Sequence, residues 1–178
     1  MGEIRGHKPV KLICSIIFRS EEGLDKAEVL LKKSYGPIEE EALTMPFDYT
    51  DYYYGEMGSP LFRRLICFKR PVSLERIRGV KIKTNAFEDR LREGGKRTVN
   101  IDPGYITEAK LVLLTTKDYS HRIYVGSGIF AETTLYFRGG DFRAWPWTYP
   151  DYASKELRGY FRKVRVIYTA AASPARNG

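Results

Sequence analysis

The chain has 178 residues, 43% of them hydrophobic and 29% charged, which fits one folded domain with a core and excludes wholesale disorder. Its formal net charge of +8 makes polyanions such as nucleic acids or phosphorylated ligands expected partners, although the basic residues are spread along the chain as on an ordinary soluble surface. Two cysteines without a Cys-x-x-Cys pair argue against a disulfide scaffold or a thiolate zinc site. The polar N-terminus and the lack of a membrane-length apolar stretch indicate a cytoplasmic protein without membrane contact.

The N-terminal part of the chain predicts a strand followed by a helix. A polar segment, residues 1–9, precedes a nearly continuous apolar run from Val10 to Phe18, which is typical of a strand buried on both faces. Ser20 is a favourable N-cap for an amphipathic helix that ends at Gly36-Pro37.

Strands and short helices are predicted for the middle of the chain. Residues 40–47 and 61–70 have strand character, and the polar, tyrosine-rich stretch 48–54 between them is expected to be a loop. Ser73 is placed to cap another helix, and the segment 85–88 resembles a capping box that would begin a separate helical turn.

The C-terminal half predicts a run of strands and a final helix. Strands are expected over 110–116, 122–125 and 129–137, a last strand or a loop over 141–147, and a helix from Pro150-Asp151 onward. This order predicts an α+β fold, with a mostly antiparallel sheet covered by helices and a C-terminal amphipathic helix. We expect one domain over 10–169 and a disordered tail over 170–178.

The stretch from Arg97 to Tyr105 is the first candidate site. If its apolar residues point into the core, Asn100 and Asp102 share the opposite face of a strand, and Pro103-Gly104 predicts a turn that presents Asp102 at the strand end. Asp102 is therefore a catalytic candidate, with Asn100 and Arg97 as ligand-binding candidates. An ordinary turn, in which the aspartate bonds its own backbone, is the alternative.

A second candidate site follows a buried strand, over residues 115–122. Lys117, His121 and Arg122 are suited to binding phosphate, and His121 is suited to proton transfer near neutral pH. We expect Lys117 and His121 to be catalytic candidates, and Asp118 and Arg122 to contact a ligand. A polar hairpin loop with Arg122 paired at the surface is the alternative.

Three further features carry weaker signals. Asp48 and Asp51 could join Glu132 around a divalent cation, the only cofactor that the residues suggest, although a solvated loop explains the two aspartates as well. Gly126-Ser127-Gly128 would let backbone amides approach an anion, or would form a simple hairpin turn. The aromatic stretch 145–152 either packs on the last helix or forms a wall that stacks rings.

Four blocks of the sequence resemble a known family. Pro46 to Tyr53, Val99 to Tyr105, Thr116 to Tyr124 and Trp147 to Tyr152 are similar to the signature blocks of a prokaryotic family named domain of unknown function 4416, and the resemblance extends from about Lys8 to Tyr168. Members of that family are often described as GTP-binding proteins, so the resemblance implies nucleotide binding. The chain lacks a phosphate-binding loop, and its Thr116-Lys117-Asp118 lacks the residue that separates lysine from aspartate in the guanine-recognition motif of GTPases.

Three functions remain open from the sequence. The first is binding of a nucleotide or another phosphorylated small molecule by the Lys/His/Arg and Asn/Asp residues, with or without turnover of that ligand. The second is a non-catalytic RNA- or DNA-binding module, suggested by the +8 charge interleaved with tyrosine and tryptophan. The third is a metal-dependent phosphodiesterase or nuclease. The sequence predicts neither an oligomeric state nor whether the protein is an enzyme.

Overall fold

A computed structural model describes residues 2–3 and 6–172. Its centre is an eight-stranded antiparallel sheet in which seven strands follow the order β2-β3-β1-β4-β5-β7-β6 and β8 pairs with β7. The strands are β1 (Lys11–Phe18), β2 (Ile38–Pro46), β3 (Phe62–Phe68), β4 (Val99–Ile106), β5 (Lys110–Thr115), β6 (Ile123–Gly126), β7 (Ile129–Arg138) and β8 (Asp141–Ala144). The helices are α1 (Glu21–Tyr35), α2 (Tyr54–Met57), α3 (Ile77–Arg90) and α4 (Lys155–Ala172). The single α+β domain with an antiparallel sheet is confirmed.

Helices α1 and α3 cover one face of the sheet. The Ser20 side chain accepts a hydrogen bond from Gly23 N at 3.2 Å, as expected of an N-cap. From α1, Leu24 and Leu31 pack with alternate residues of β1, and α3 adds Val80 and Phe87 to the same core. Burying these apolar stripes against the sheet stabilises helices whose own propensity is modest.

Helix α4 covers part of the opposite face. Leu157, Phe161 and Val164 pack against a cluster that includes Ile13 of β1 and Leu113 of β5. A smaller cluster under the tyrosine-rich loop consists of Ile17, Phe47, Met57 and Leu61, with Tyr53 against it. Within the described residues, no helix is long and apolar enough to span a bilayer.

The β6 end of that second face presents exposed side chains. Leu113 is opposite Glu132 of β7, and Tyr124 of β6 is opposite Phe130, two residues before Glu132. Because residues two apart on a strand share a face, Tyr124 lies on the same side of the sheet as α4. Tyr124 is nevertheless 60% exposed, so this end of the sheet presents an aromatic ring to solvent.

Three local predictions are wrong. Residues 85–88 lie inside α3 and do not begin a new turn, because the apolar stripe of that helix continues to Phe87. Pro103-Gly104 continues strand β4, where Gly104 pairs with both β1 and β5. Ala170 to Ala172 belong to α4, in keeping with the high helix propensity of alanine, and the rest of the expected tail lies outside the described residues.

Candidate functional site

Strands β4 and β5 separate over part of their length, and α3 fills the gap. Their pairing is confined to Gly104–Ile106 with Leu111–Leu113. Beyond it, Glu88 Oε1 accepts a hydrogen bond from Ile101 N at 2.8 Å, and Lys81 Nζ donates to Ile101 O at 3.1 Å. Two side chains of a helix therefore bond the backbone groups that a neighbouring strand would otherwise bond.

The same gap explains why Pro103 is tolerated inside a strand. Successive residues of an antiparallel strand direct their N–H groups to alternate neighbours. Ile101 N points away from β1 towards α3, so an N–H at position 103 would point to the same side. Proline lacks that donor, and it lies just before the β5 pairing begins at Gly104.

A network of polar side chains adjoins the gap between β4 and β5. Lys81 Nζ lies 3.0 Å from Asp102 Oδ1, and Asn100 Nδ2 donates to Asp102 Oδ2 at 2.8 Å. Arg97 Nη1 donates to Asn100 Oδ1 at 2.9 Å, and Arg97 Nε donates to Glu56 Oε2 at 2.8 Å. The structure thus brings Arg97, Asn100 and Asp102 together, and it engages each of them with neighbouring protein groups.

Electrostatics shifts the pKa values of the two central carboxyl groups in opposite directions. Burial favours the neutral form of Asp102, yet the charge and hydrogen bond of Lys81, with the amide of Asn100, hold the pKa of Asp102 below its ordinary value. Burial raises the pKa of Glu88 to about 6, even though Lys81 opposes this rise. Asp102 is therefore ionised at neutral pH and can only accept hydrogen bonds, which suits it to orienting a donor.

Lys81 and Glu88 were not predicted from the sequence. They are seven residues apart and lie on the buried side of α3, together with Val80, Thr84 and Phe87. Charged residues on an otherwise apolar helical stripe were the available signal, because such residues are rarely buried unless paired.

A second polar set surrounds Glu132 of β7. Glu132 is 3% exposed, and its Oε2 accepts a hydrogen bond from Arg122 Nε at 2.7 Å and lies 3.2 Å from His121 Nε2. Arg122 Nη1 also donates to Lys117 O at 3.1 Å. The buried carboxylate therefore fixes the loop that carries Lys117, His121 and Arg122 on the sheet.

Aromatic rings extend this second set. The ring of His121 is stacked on Trp147, with 5.4 Å between centroids, and Trp147 is stacked on Trp145 at 5.1 Å. The indole N–H of Trp147 donates to Thr133 O at 3.1 Å, which holds the stack on β7. Tyr119 meets the His121 ring edge-on at 5.3 Å. Within the stretch 145–152, Trp147 thus stacks on neighbouring rings, and Tyr152 packs on Phe161 of α4 as one of the two alternatives predicted.

The tyrosine-rich loop connects the two polar sets. Lys117 Nζ lies 4.7 Å from the centre of the Tyr52 ring, and Tyr52 packs edge-on against Tyr53 at 5.0 Å. The Arg97 guanidinium lies 5.8 Å from the Tyr53 ring. Burial, and secondarily the negative charge of Asp102, raise the pKa of Tyr53. The two sets are therefore neighbours through this loop, while no direct hydrogen bond or ion pair joins them among the described residues.

The remaining predicted site residues are peripheral. Asp48, Asp51 and Asp118 are exposed. Among the described residues, no three His, Cys, Asp or Glu side chains are grouped so that they could hold a metal ion. Glu132, the third member of the expected metal set, contacts Arg122 and His121 instead.

Two shallow cavities lie elsewhere on the molecule. They have volumes of about 270 and 280 Å³, and both are lined by Lys8 and Tyr168 near the N-terminal segment. None of the predicted site residues lines either cavity. The surface around Lys117 and Trp147 carries exposed aromatic rings.

The chain belongs to the family of the domain of unknown function DUF4416, whose model matches residues 8–168. The resemblance noted in the sequence is confirmed over nearly the whole chain. No curated protein and no solved structure matches it significantly.

Proposed function

We propose that this protein binds single-stranded nucleic acid on an aromatic face. The aromatic face is defined here by five exposed rings and two cations: Tyr52, Tyr119, Tyr124, Trp147 and Tyr149, with Lys117 and Arg122. The observation that carries the proposal is the exposure of the rings, each between 38% and 66%, beside cations that are held in place by the fold.

The rings are suited to stacking on bases. A folded chain usually buries large aromatic side chains at least in part, because their burial stabilises the core. Here the Tyr119 and Tyr124 rings are 66% and 60% exposed on one loop and the strand that follows it. Stacking of a base on such a ring contributes about 1–3 kcal/mol and needs no particular base.

Lys117 is suited to the phosphates between those bases, whereas the charge of Arg122, whose side chain is 9% exposed, is paired with Glu132 at 2.7 Å. Lys117 Nζ lies beside the Tyr52 ring, and Arg122 Nη2 lies 3.5 Å from the Tyr149 hydroxyl. Each cation is thus next to a ring that could receive a base. Alternation of positive charge and aromatic rings is the usual composition of single-strand-binding surfaces.

A free nucleotide or another phosphorylated small molecule is the second candidate ligand. It is favoured by the position of Lys117, His121 and Arg122 within one short loop, where they could meet a single phosphate group. Small-molecule sites are typically concave, however, and the five rings of the aromatic face are distributed over three loops and a strand. We therefore rank the single strand first. Metal-dependent phosphodiester cleavage receives no support from the described side chains.

The test is a fluorescence anisotropy titration of labelled single-stranded RNA and DNA, each about 12 nucleotides long. Tyr119→Ala should weaken binding by roughly 5- to 150-fold, the range that corresponds to one lost stack. Lys117→Ala should weaken binding and reduce its salt dependence. The matched control is Arg143→Ala, which removes an exposed cation on β8.

Three outcomes separate the candidates. Tighter binding of the oligonucleotide than of a mononucleotide, with loss in the aromatic variants, supports the single strand. Equal affinity for both ligands supports the nucleotide site. Absence of binding, or equal loss in Arg143→Ala and Lys117→Ala, contradicts the proposal.

A further inference from the structure

His121 lies against two rings of the aromatic face. Its imidazole is stacked on Trp147 with 5.4 Å between centroids, and Tyr119 meets it edge-on at 5.3 Å. These contacts fix the plane of the imidazole, and Tyr119, which is 66% exposed, offers its own ring to a base. A strand that stacks on Tyr119 therefore carries its sugar–phosphate backbone past His121.

Glu132 sets the tautomer of His121. The Glu132 side chain is 3% exposed, and its Oε2 accepts a hydrogen bond from Arg122 Nε at 2.7 Å while lying 3.2 Å from His121 Nε2. Because a carboxylate paired with a guanidinium only accepts hydrogen bonds, the neutral imidazole carries its proton on Nε2. The lone pair is consequently on Nδ1, which is the nitrogen that can take a proton from a ligand.

The Nδ1 edge of the imidazole is accessible to a ligand. Within the part of the chain that the structure describes, Nε2 is the only ring nitrogen of His121 with a hydrogen-bond partner. Nδ1 is not among the buried polar atoms that lack a partner, so this edge of the 13% exposed side chain reaches solvent. A hydroxyl group of a bound strand can therefore donate to Nδ1.

Lys117 supplies positive charge to the same loop. Arg122 Nη1 donates to Lys117 O at 3.1 Å, so the arginine that holds Glu132 also holds the backbone of Lys117. Lys117 Nζ lies 4.7 Å from the centre of the Tyr52 ring, and among the described residues no carboxylate lies within ion-pair distance of it. Its charge is thus available to a phosphate whose negative charge increases during a reaction.

We propose that His121 is the general base of an RNA-cleaving site and that Glu132 positions it. The proposal rests on the proposed function, because the aromatic face brings the strand to the imidazole. Nδ1 takes the proton of a ribose 2′-hydroxyl, and the 2′-oxygen forms a bond to the adjacent phosphorus. The bond between phosphorus and the 5′-oxygen breaks, and that oxygen takes a proton from water. The upstream fragment then ends in a 2′,3′-cyclic phosphate, and the imidazolium returns its proton to water.

The experiment follows cleavage of an end-labelled single-stranded RNA of about 12 nucleotides, with the protein in saturating excess so that affinity does not enter the rate. Wild type should release fragments that end in a 2′,3′-cyclic phosphate, identified by mass spectrometry. DNA of the same sequence should be bound and left intact, because it lacks the 2′-hydroxyl. On the acid side the rate should rise about tenfold per pH unit, as the imidazole loses its proton.

Three variants assign the roles. His121→Gln keeps a polar side chain that cannot serve as a base, and it should slow cleavage by roughly 100- to 10,000-fold. The matched control is His7→Ala, which removes the other histidine of the chain, an exposed one, and should cleave at the wild-type rate. Glu132→Gln should cleave more slowly and move the pH–rate curve to lower pH, since the imidazolium loses a nearby negative charge. A purely structural role of Glu132 would leave that curve in place.

A substrate change tests the mechanism without any variant. RNA in which one ribose is replaced by 2′-deoxyribose should be cut by the wild type everywhere except directly after that sugar. Binding of RNA without cleavage, cleavage after the deoxyribose, or an unchanged rate in His121→Gln would overturn the inference and leave the proposed function in place. If the wild type binds neither RNA nor DNA, the proposed function itself fails.

Discussion

Replacing the buried Glu88 by glutamine should change the free energy of unfolding more favourably at neutral pH than at acid pH, when the variant is compared with wild type at each pH. Burial raises the pKa of Glu88 from its ordinary value of 4.5 to about 6 in the folded protein. At about 1.4 kcal/mol per pKa unit, this rise corresponds to about 2 kcal/mol. The side chain is 9% exposed, so little of that energy is screened by solvent.

The sign follows from proton linkage. A carboxyl group whose pKa is raised on folding contributes stability that is fully present below its unfolded pKa and is lost as the pH rises through its folded pKa. For Glu88 the loss falls between pH values of about 4.5 and about 6. Glutamine does not titrate and keeps a carbonyl oxygen to accept the 2.8 Å hydrogen bond from Ile101 N. The free energy of unfolding of Glu88→Gln minus that of wild type should therefore rise by about 2 kcal/mol over this window.

The assay is urea unfolding followed by circular dichroism at several pH values on both sides of the window. The difference between variant and wild type cancels the contributions of the other carboxyl groups. Glu56→Gln is the control of opposite sign, because its hydrogen bond to Arg97 lowers the pKa of Glu56 and the corresponding difference should fall as the pH rises. A Glu88→Gln difference that is flat, or that falls with increasing pH, would refute the reasoning.

Two further predictions concern stability. Asp151→Ala should lower the free energy of unfolding by about 3–5 kcal/mol, measured by thermal or urea unfolding, because it leaves the buried Arg63 guanidinium without its counter-charge. Asp141→Ala removes a more exposed ion pair and should lower it by less than about 1 kcal/mol. Equal losses in the two variants would contradict this difference in burial. Gly104→Ala should destabilise the protein by about 1–3 kcal/mol or more, since the added Cβ would overlap a backbone oxygen of β5. Gly159→Ala, in open space on α4, should stabilise it by roughly 0.5–1 kcal/mol. A Gly104→Ala variant as stable as wild type would show that β4 and β5 can move apart.

Elements that depend on local signals were predictable from the sequence. The apolar run before Phe18 is strand β1, and Ser20 caps α1 as its side chain allows. Pro103-Gly104 misled the prediction because proline and glycine usually mark a turn. Only the separation of β4 from β5, a non-local feature, lets the strand continue through them.

The candidate site was predictable in part for a similar reason. Spacing within single segments placed Asn100 beside Asp102, and it placed Lys117 close to Arg122. Sequence spacing could not predict the role of Lys81, because its contact with Asp102 depends on α3 filling the gap in the sheet. It also could not foresee that Tyr52 and its loop would connect the two polar sets, since that contact spans 65 residues of sequence.

The most direct test of the aromatic face is a two-dimensional ¹H–¹⁵N NMR titration of the full chain with single-stranded RNA of about 12 nucleotides. We predict that the indole N–H of Trp147 and the backbone amides from Lys117 to Tyr124 shift first and saturate together, while the amides of α4 remain in place. Shifts that are confined to α4, or a spectrum that does not change at saturating RNA, would contradict the assignment of this face to nucleic-acid binding.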